Sequence, residues 1–485
     1  MVRWCMAIAG RVLFWLYLFL LVWADGTAFN SADPDLWHRL TLGDYLWRTG
    51  QFPPGGTFSY LADYKNIADH EWGSAVIFDA IFRATGGGAF FGSAMVGLKL
   101  VTLAVTLAFV VWAGLRRQRP SVPMAAFYAL VLLALLPSFL STLRCMVFTN
   151  IFFALWLYWF QCERTGTRIP AWAYALTMLV WANLHGGFTI GLAWLALVAA
   201  VEFWQAGEWK KWAVRLGLCT LVTLVNPFGV HLWISTLRAL AAPRGGFDEW
   251  APVHWFSSDE PGYKLLLLAT LLAFVYLLRR RHGRQIDRGA VALILVMLFL
   301  SLTSSRHTAL FALTVGALLP GTLPASPRTS RVREPQQRLV YMGICSTCLM
   351  IPLFLALKVL PYGDGLRLTY NADSCPVGAV DFLRASGTRG DLLTPFNYGS
   401  YAMWKLRGNM RVSMDGRYDL VYKPATYNRV ADFYLGQPAG QSLLMNPKPA
   451  AVLVPRGDRV YPQMLANPGW KQAYADSHDA VFLPR

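Results

Sequence analysis

The sequence predicts an all-α polytopic membrane bundle of about eleven transmembrane helices, followed by a small exported α/β domain. Three observations carry that prediction. Hydrophobic residues make up 55% of the 485 and charged residues only 15%, whereas about a quarter of an ordinary soluble domain is charged. The apolar residues fall in long blocks, as a bilayer demands of helices that must satisfy their own backbone. After Pro361 the blocks give way to helix-like stretches ("VGAVDFLRASG", "ATYNRVADFYLG") alternating with short apolar runs ("DLLTPF", "MRVSMD", "AAVLVP", "DAVFLP"), a pattern that suits a small α/β domain.

The apolar runs lie near 7–24, 89–114, 122–140, 147–161, 171–183, 188–203, 213–225, 265–278, 289–303, 308–323 and 339–360. Several fall short of a full crossing and need flanking Trp or Pro residues, or a tilt. The Lys/Arg bias sets the orientation. With the N-terminus in the cytoplasm, the basic residues Arg116, Arg117, Arg119, Arg164, Arg168, Lys210, Lys211 and Arg215, the run 279–288, and Arg328, Arg331, Arg333 and Arg338 all fall on that side. The net charge of +17 therefore reads as a topology signal and not as a nucleic-acid footprint. The first run reads as an uncleaved span, although "VWA" before Asp25 also suits a signal-peptidase site. The expected organisation is a transmembrane domain over 1–360, with a first outer loop over 25–88, and an exported domain over 361–485.

The seven cysteines point to no disulfide framework. Cys345 and Cys348 form a CxxC inside an apolar run, where packing is the simpler role. Cys145 and Cys375 fall on the exported side, and nothing in the sequence supports a bond between them.

Ionisable residues gather on the exported side, where charge next to a bilayer tends to mark function. The first outer loop carries Asp33, Asp35 and His38, then Asp69, His70 and Glu71. Later outer turns carry Arg144, His185 in "NLHGGF", Glu249 and His254, and the pair Arg306 and His307. Plain structural roles compete with functional ones. A histidine at a span end often anchors an interface. "HGG" makes a tight turn, and Arg144 suits headgroups. Asp69 suits the N-cap of the helix after it, and Glu71 suits that helix's dipole. Asp33 suits the cap of a helix opened by Pro34, which puts Asp35 in the first turn. A DxD pair is weak alone and stronger directly after a first span. In the tail, Asn397 suits a helix cap. "DGRYD" (Asp415, Arg417, Asp419) suits a turn after a strand, fixed by an internal Asp–Arg pair or serving acceptor recognition.

The stretches "DPDLWHRLTLG", "DHEWGSAV", "WANLHGGFTIGL", "NPFGVHLW", "SSRHTALF", "FNYGSYAMW" and "MDGRYDLVY" resemble, in order and spacing, a bacterial group of multi-span proteins of the GT-C glycosyltransferase class. The resemblance runs along nearly the whole chain. It departs at His38, where relatives carry a tryptophan. It implies a GT-C-like fold in the bacterial inner membrane with a periplasmic domain. It also implies transfer of a sugar from a polyprenyl-phosphate-type donor to an acceptor on the exported face. Asp33, Asp35, Asp69 and Glu71 are then the catalytic candidates. His38, His70, Arg144, His185, Arg306 and His307 are the substrate-binding candidates, and Asn397, Asp415, Arg417 and Asp419 form an accessory tail cluster. Asp33, Asp35 and Glu71 suit a divalent cation (Mg or Mn), a need that the resemblance leaves open. A lipid-linked substrate transporter or flippase predicts polar residues at mid-membrane depth and paired halves, neither of which stands out. A non-catalytic scaffold does not require the one-sided set of acids, histidines and arginines.

Overall fold

The computed structural model describes residues 2–136, 141–142, 144–241, 248–257, 260–279, 287–323, 350 and 364–485. They form two compact units, each assembled from three separate stretches of chain: Met1–Asn30, Ser93–Val225 and Arg244–Arg367 in one, and Ser31–Gly92, Asn226–Pro243 and Leu368–Arg485 in the other.

The first unit is helical. The described parts of the predicted apolar runs from 7–24 to 308–323 fall mainly on helices, and the run 339–360, Met350 apart, lies outside the described residues, as do residues 137–140, Cys345 and Cys348. Among the described residues three helical stretches are long and apolar enough to cross a bilayer, Arg11–Ala28, Gly88–Leu115 and Pro261–Arg279, and they make the chain an integral membrane protein. Val122–Leu135, Ala171–Leu184, Phe188–Trp204 and Arg288–Thr303 are apolar but shorter. A 14-residue helix such as Ala171–Leu184 rises only about 21 Å against a hydrocarbon core of about 30 Å. The expected count of about eleven is therefore not reached, among the described residues, by helices of full crossing length.

Aromatic side chains fill the middle of this unit. Trp156, Trp181, Trp194, Trp212 and Tyr174 are buried, with ring centroids 5.1–6.2 Å apart between neighbours, the spacing of edge-to-face packing. Charges left over from the apolar pattern are paired. Lys99 donates from Nζ to the Asn30 side chain at 3.0 Å. Glu202, which looks isolated in the sequence, accepts from Arg164 at 2.6 Å, and Arg164 also lies 3.2 Å from Asp287. Arg215 and Lys211 both bind Glu163. Part of the basic character read as a topology signal thus also ties helices together.

The second unit joins the first outer loop to the tail. Its sheet runs in the spatial order Met410–Val412, Gly390–Leu393, Ala451–Pro455, Asp479–Pro484, Trp470–Ala475. The first three strands are parallel and the last two join antiparallel. The outer loop extends the Met410 edge: the Tyr60 amide donates to the Val412 carbonyl at 3.1 Å, and the Val412 amide donates to the Phe58 carbonyl at 3.0 Å. The helix Pro34–Thr49 packs on Trp72–Thr85 and on Phe396–Lys405. Asp33 caps it, its carboxylate accepting from the Asp35 amide at 2.9 Å, with Pro34 in the first turn. That is the cap the sequence predicts.

Candidate functional site

Asp35, His38 and Arg39 sit at i, i+3 and i+4 and share one face of the helix Pro34–Thr49. Asp35 lies in its first turn with a side chain 42% exposed, and its carboxylate stands 3.8 Å from His38 Nδ1. His38 is buried, and Nδ1 lies 3.4 Å from Ser400 Oγ. Burial first, and the Arg39 charge second, pull its pKa down to about 3, so the ring is neutral near pH 7. Arg39 gathers the acids of "DHEW". Its Nη1 donates to both Asp69 oxygens at 2.6 and 2.7 Å, and its Nη2 pairs with Glu71. Burial raises the Asp69 pKa, but the Arg39 and His70 charges and the hydrogen bond from the Glu71 amide together outweigh it and hold the carboxyl below its ordinary value. Asp69 and Glu71 thus share one guanidinium. His70 Nε2 lies 3.9 Å from Glu71.

The tail brings its turn to the same face. Asp415 is fully buried and accepts from Arg417 Nε and Nη2, both at 2.7 Å, and from the Tyr422 hydroxyl at 2.7 Å. Burial raises the carboxyl pKa, but Arg417 overrides it and brings it to about 2. The internal Asp–Arg pair read from "DGRYD" is therefore present. Between the two partners, the Gly416 amide donates to Ser400 Oγ at 3.0 Å. A Cβ at Gly416 would meet Asp35 Oδ1 and Ser400 Oγ at 3.0 Å and His38 Nδ1 at 3.1 Å, tighter than carbon normally packs. Gly416→Ala is expected to displace Asp35 and His38. The melting point of the full chain should fall by a few degrees, as befits an overpacking strain of about 1–3 kcal/mol, and an unchanged melting point would mean that the turn accepts the added carbon without strain.

Two capping assignments need correction. The helix of "HEWGSAV" starts at Trp72, with Glu71 at its cap position. Asp69 lies two residues earlier and accepts from the Glu71 amide at 2.9 Å. The carboxylate is already fixed by Arg39, so it stabilises the turn before the helix. Asn397 lies inside the first turn of Phe396–Lys405, whose cap is Pro395. Asp419 sits in the short helix Tyr418–Val421.

The helical unit holds its own polar set. Arg144 and Arg306 both donate to Glu249, Arg306 at 2.7 Å. Burial raises the Glu249 pKa, and the charges of Arg306 and Arg144 more than reverse that, so the carboxyl lies below its ordinary value. Arg306 lies 4.9 Å over the Trp250 ring. His307 packs edge-on to the same ring at 6.3 Å, in the turn Ser305–His307. His185 Nδ1 accepts from the Gly187 amide at 2.9 Å and lies 2.7 Å from Thr149 Oγ1, so it holds the HGG turn in place. Cys145 and Cys375 are free thiols. Among the described residues no group of three or more His, Cys, Asp or Glu side chains is arranged to hold a metal ion. Of the acids that suit a cation, Asp33 is spent as a helix cap and Glu71 on Arg39.

No protein-family model matches the chain, and no curated protein matches it in sequence. Solved structures do match. ArnT from Cupriavidus metallidurans bound to undecaprenyl phosphate aligns over 98% of both chains, with a TM-score of 0.56 at 13% identity. The archaeal oligosaccharyltransferase AglB from Archaeoglobus fulgidus, in complex with an inhibitory peptide and a dolichol-phosphate, aligns over 91% of this chain and 69% of its own, with a TM-score of 0.60 at 10% identity. The arabinofuranosyltransferase AftD from Mycobacteria aligns over all of this chain but 40% of its own, with a TM-score of 0.53 at 15% identity.

The fold is that of the GT-C glycosyltransferases.

In this GT-C fold, Asp33, Asp35, His38, Asp69, His70, Glu71, Asn397, Asp415, Arg417 and Asp419 belong to one unit. Arg144, His185, Arg306 and His307 belong to the other. Sequence reasoning missed Arg39, Ser400 and Gly416, and did not carry Glu249 into the candidate set. Arg39 had a usable signal, its i+4 spacing from Asp35. Ser400 and Gly416 had none, since a serine in a helix and a glycine in a turn are ordinary until the fold brings them to His38.

Proposed function

We propose that the chain is a membrane glycosyltransferase that moves a sugar from a polyprenyl-phosphate-type donor to an acceptor on the exported face of the membrane. The observation that carries this reading is the state of Asp35. It is a partly exposed carboxylate in the first turn of its helix, 3.8 Å from a neutral buried histidine. The GT-C fold supports the donor class, since the ArnT structure was solved with undecaprenyl phosphate and that of AglB with a dolichol-phosphate.

In the proposed reaction an acceptor oxygen or nitrogen attacks the anomeric carbon, and the bond from that carbon to the phosphate oxygen breaks. Asp35 takes or orients the acceptor proton, the task of a general base. Within the helical unit, Arg144 and Arg306 are the residues suited to a phosphate group, because a guanidinium fork suits phosphate oxygens. The N-terminus lies in the cytoplasm and the tail is exported, in keeping with the Lys/Arg bias.

The test uses the purified full chain in detergent with polyprenyl-phosphate sugars and membrane extract as the acceptor source. Release of free polyprenyl phosphate, together with accumulation of one lipid-linked sugar in a deletion strain, is the expected result. A deletion strain with normal lipid-linked sugars, and no release from any donor, rejects the reading.

A further inference from the structure

The helix His231–Ala241, in the second unit, turns its apolar side outward. It packs against Tyr418–Val421, and Leu232 and Thr236 are its buried side chains. The Ile234 amide donates to the Val230 carbonyl at 3.3 Å, which brings Val230 into the first turn. Val230, Ile234 and Leu237 then follow at intervals of four and three residues and form one stripe, with Leu240 beside it. These four are 59%, 47%, 57% and 59% exposed. At about 3.6 residues per turn the stripe lies opposite Leu232 and Thr236. His231 and Arg238, both exposed, fall along one edge of it, and the Arg238 guanidinium sits 4.5 Å over the Tyr64 ring.

A helix on a watered surface shows the reverse arrangement, with its apolar stripe inward and its polar face outward. Elsewhere in the second unit, among the described residues, no helix exposes two large apolar side chains one turn apart. Trp47, Leu435 and Met445 are exposed singly, which is ordinary for any protein surface. The chain reaches the helix from the apolar run 213–225, where Leu221 and Val225 are also exposed. Four residues, Asn226–Gly229, separate Val225 from Val230. The segment Asn226–Pro243 is bounded on both sides by stretches of the helical unit. The 11 residues of the helix rise only about 17 Å, too little to cross a hydrocarbon core of about 30 Å.

In an integral membrane protein, an outward apolar stripe with a basic edge matches the boundary between acyl chains and headgroups. From the stripe, its basic edge and its place in the chain directly after an exposed apolar run, we infer that His231–Ala241 is a membrane-surface helix. It lies along the membrane plane with Ile234 and Leu237 in the acyl boundary, while Arg238 and His231 reach the headgroups. Its opposite face holds Tyr418–Val421, which directly follows the Asp415–Arg417 pair. The helix thus ties the "DGRYD" turn to the lipid surface. This role is independent of the sugar-transfer reading.

The experiment uses the full chain in nanodiscs of phosphatidylethanolamine and phosphatidylglycerol, with bromine atoms on the acyl chains either near the headgroup or near the chain end. A bimane fluorophore is attached at Ile234→Cys, Leu237→Cys or Leu240→Cys and, as a reference on an exposed residue of the same unit, at Lys471→Cys. The native chain, labelled in the same way, supplies the background of its own cysteines. Brominated lipid is expected to quench the labels at 234 and 237 about threefold more than the label at 471, with the bromines near the headgroup quenching more, as a helix in the interface requires. Aqueous iodide should quench in the reverse order. Melting points near native confirm that the labelled chains are folded, and Leu240→Cys replaces either position if its variant is not. Lipid quenching at the helix no greater than at 471 overturns the inference. Strong iodide quenching would then show a face bare to water, and a Leu237→Cys cross-link between chains would show one covered by a second copy. Stronger quenching by bromines near the chain end would place the segment inside the core and also overturn the surface position.

Discussion

Asp35→Asn is expected to lower sugar transfer by about 10²–10⁴-fold, the usual worth of a positioned general base, while expression and melting behaviour stay near native. The reason is local. Asp35 sits in the first turn of Pro34–Thr49, partly exposed, with His38 Nδ1 3.8 Å away, so the amide fits where the carboxylate was. Asp33→Asn is the contrast. Asp33 is buried and serves as the helix cap, and asparagine caps a helix about as well as aspartate. Transfer should stay within about threefold of native, in line with a change of a few tenths of a kcal/mol at a cap. Initial rates of polyprenyl-phosphate release, measured on both variants in the same detergent, check the pair. A dead Asp33→Asn beside an active Asp35→Asn would exchange the two roles. Two active variants would remove the DxD pair from the chemistry.

Asp415→Ala is expected to produce the largest loss of stability. Arg417 is buried and its guanidinium has Asp415 as a bidentate partner. Removing the carboxylate leaves a buried charge uncompensated, which destabilises by about 3–5 kcal/mol. Joint replacement by Asp415→Leu and Arg417→Met should recover much of the loss, because an apolar pair avoids the desolvation of both ions. The measurement is the thermal unfolding midpoint of the full chain, with the double variant closing the cycle. If the double variant is as unstable as the single one, the turn needs the ion pair itself.

The same pair sets a pH dependence. The Asp415 pKa is about 2 in the folded chain, below its ordinary value of 3.8. The unfolded chain therefore takes up the proton first on acidification. The stability that the pair contributes is fully present above about pH 4 and is lost as the pH falls through about 2. Unfolding midpoints should drop more steeply over that window in the native chain than in Asp415→Ala. Equal slopes would mean that the carboxyl is not held down by Arg417.

Much of the candidate site is legible in the chain because its signals are short-range. A cap aspartate followed by proline fixes the start of a helix within a few residues, and Asp33 behaves as the sequence predicts. "DGR" contains both partners of its own ion pair two residues apart. Where the prediction slips, a distant partner is responsible. Asp69 looks like a cap because its neighbours favour one, yet its carboxylate is taken by Arg39, thirty residues away. Glu202 looks isolated because Arg164 lies thirty-eight residues off.

The sequence by itself determined the helical, membrane-embedded class, the positions of the apolar runs, the α/β character of the tail and the capped DxD helix. Each of these follows from composition or from spacing within one or two helical turns. Only the tertiary structure decided which charges meet. It joined the first outer loop to the tail as one unit, set Ser400 and Gly416 beside His38, and gave Arg144 and Arg306 the same glutamate. The physical reason is range. Backbone hydrogen bonding and hydrophobic periodicity act between near neighbours in the chain, whereas the pairing of charges depends on segments brought together by the packing of the whole fold.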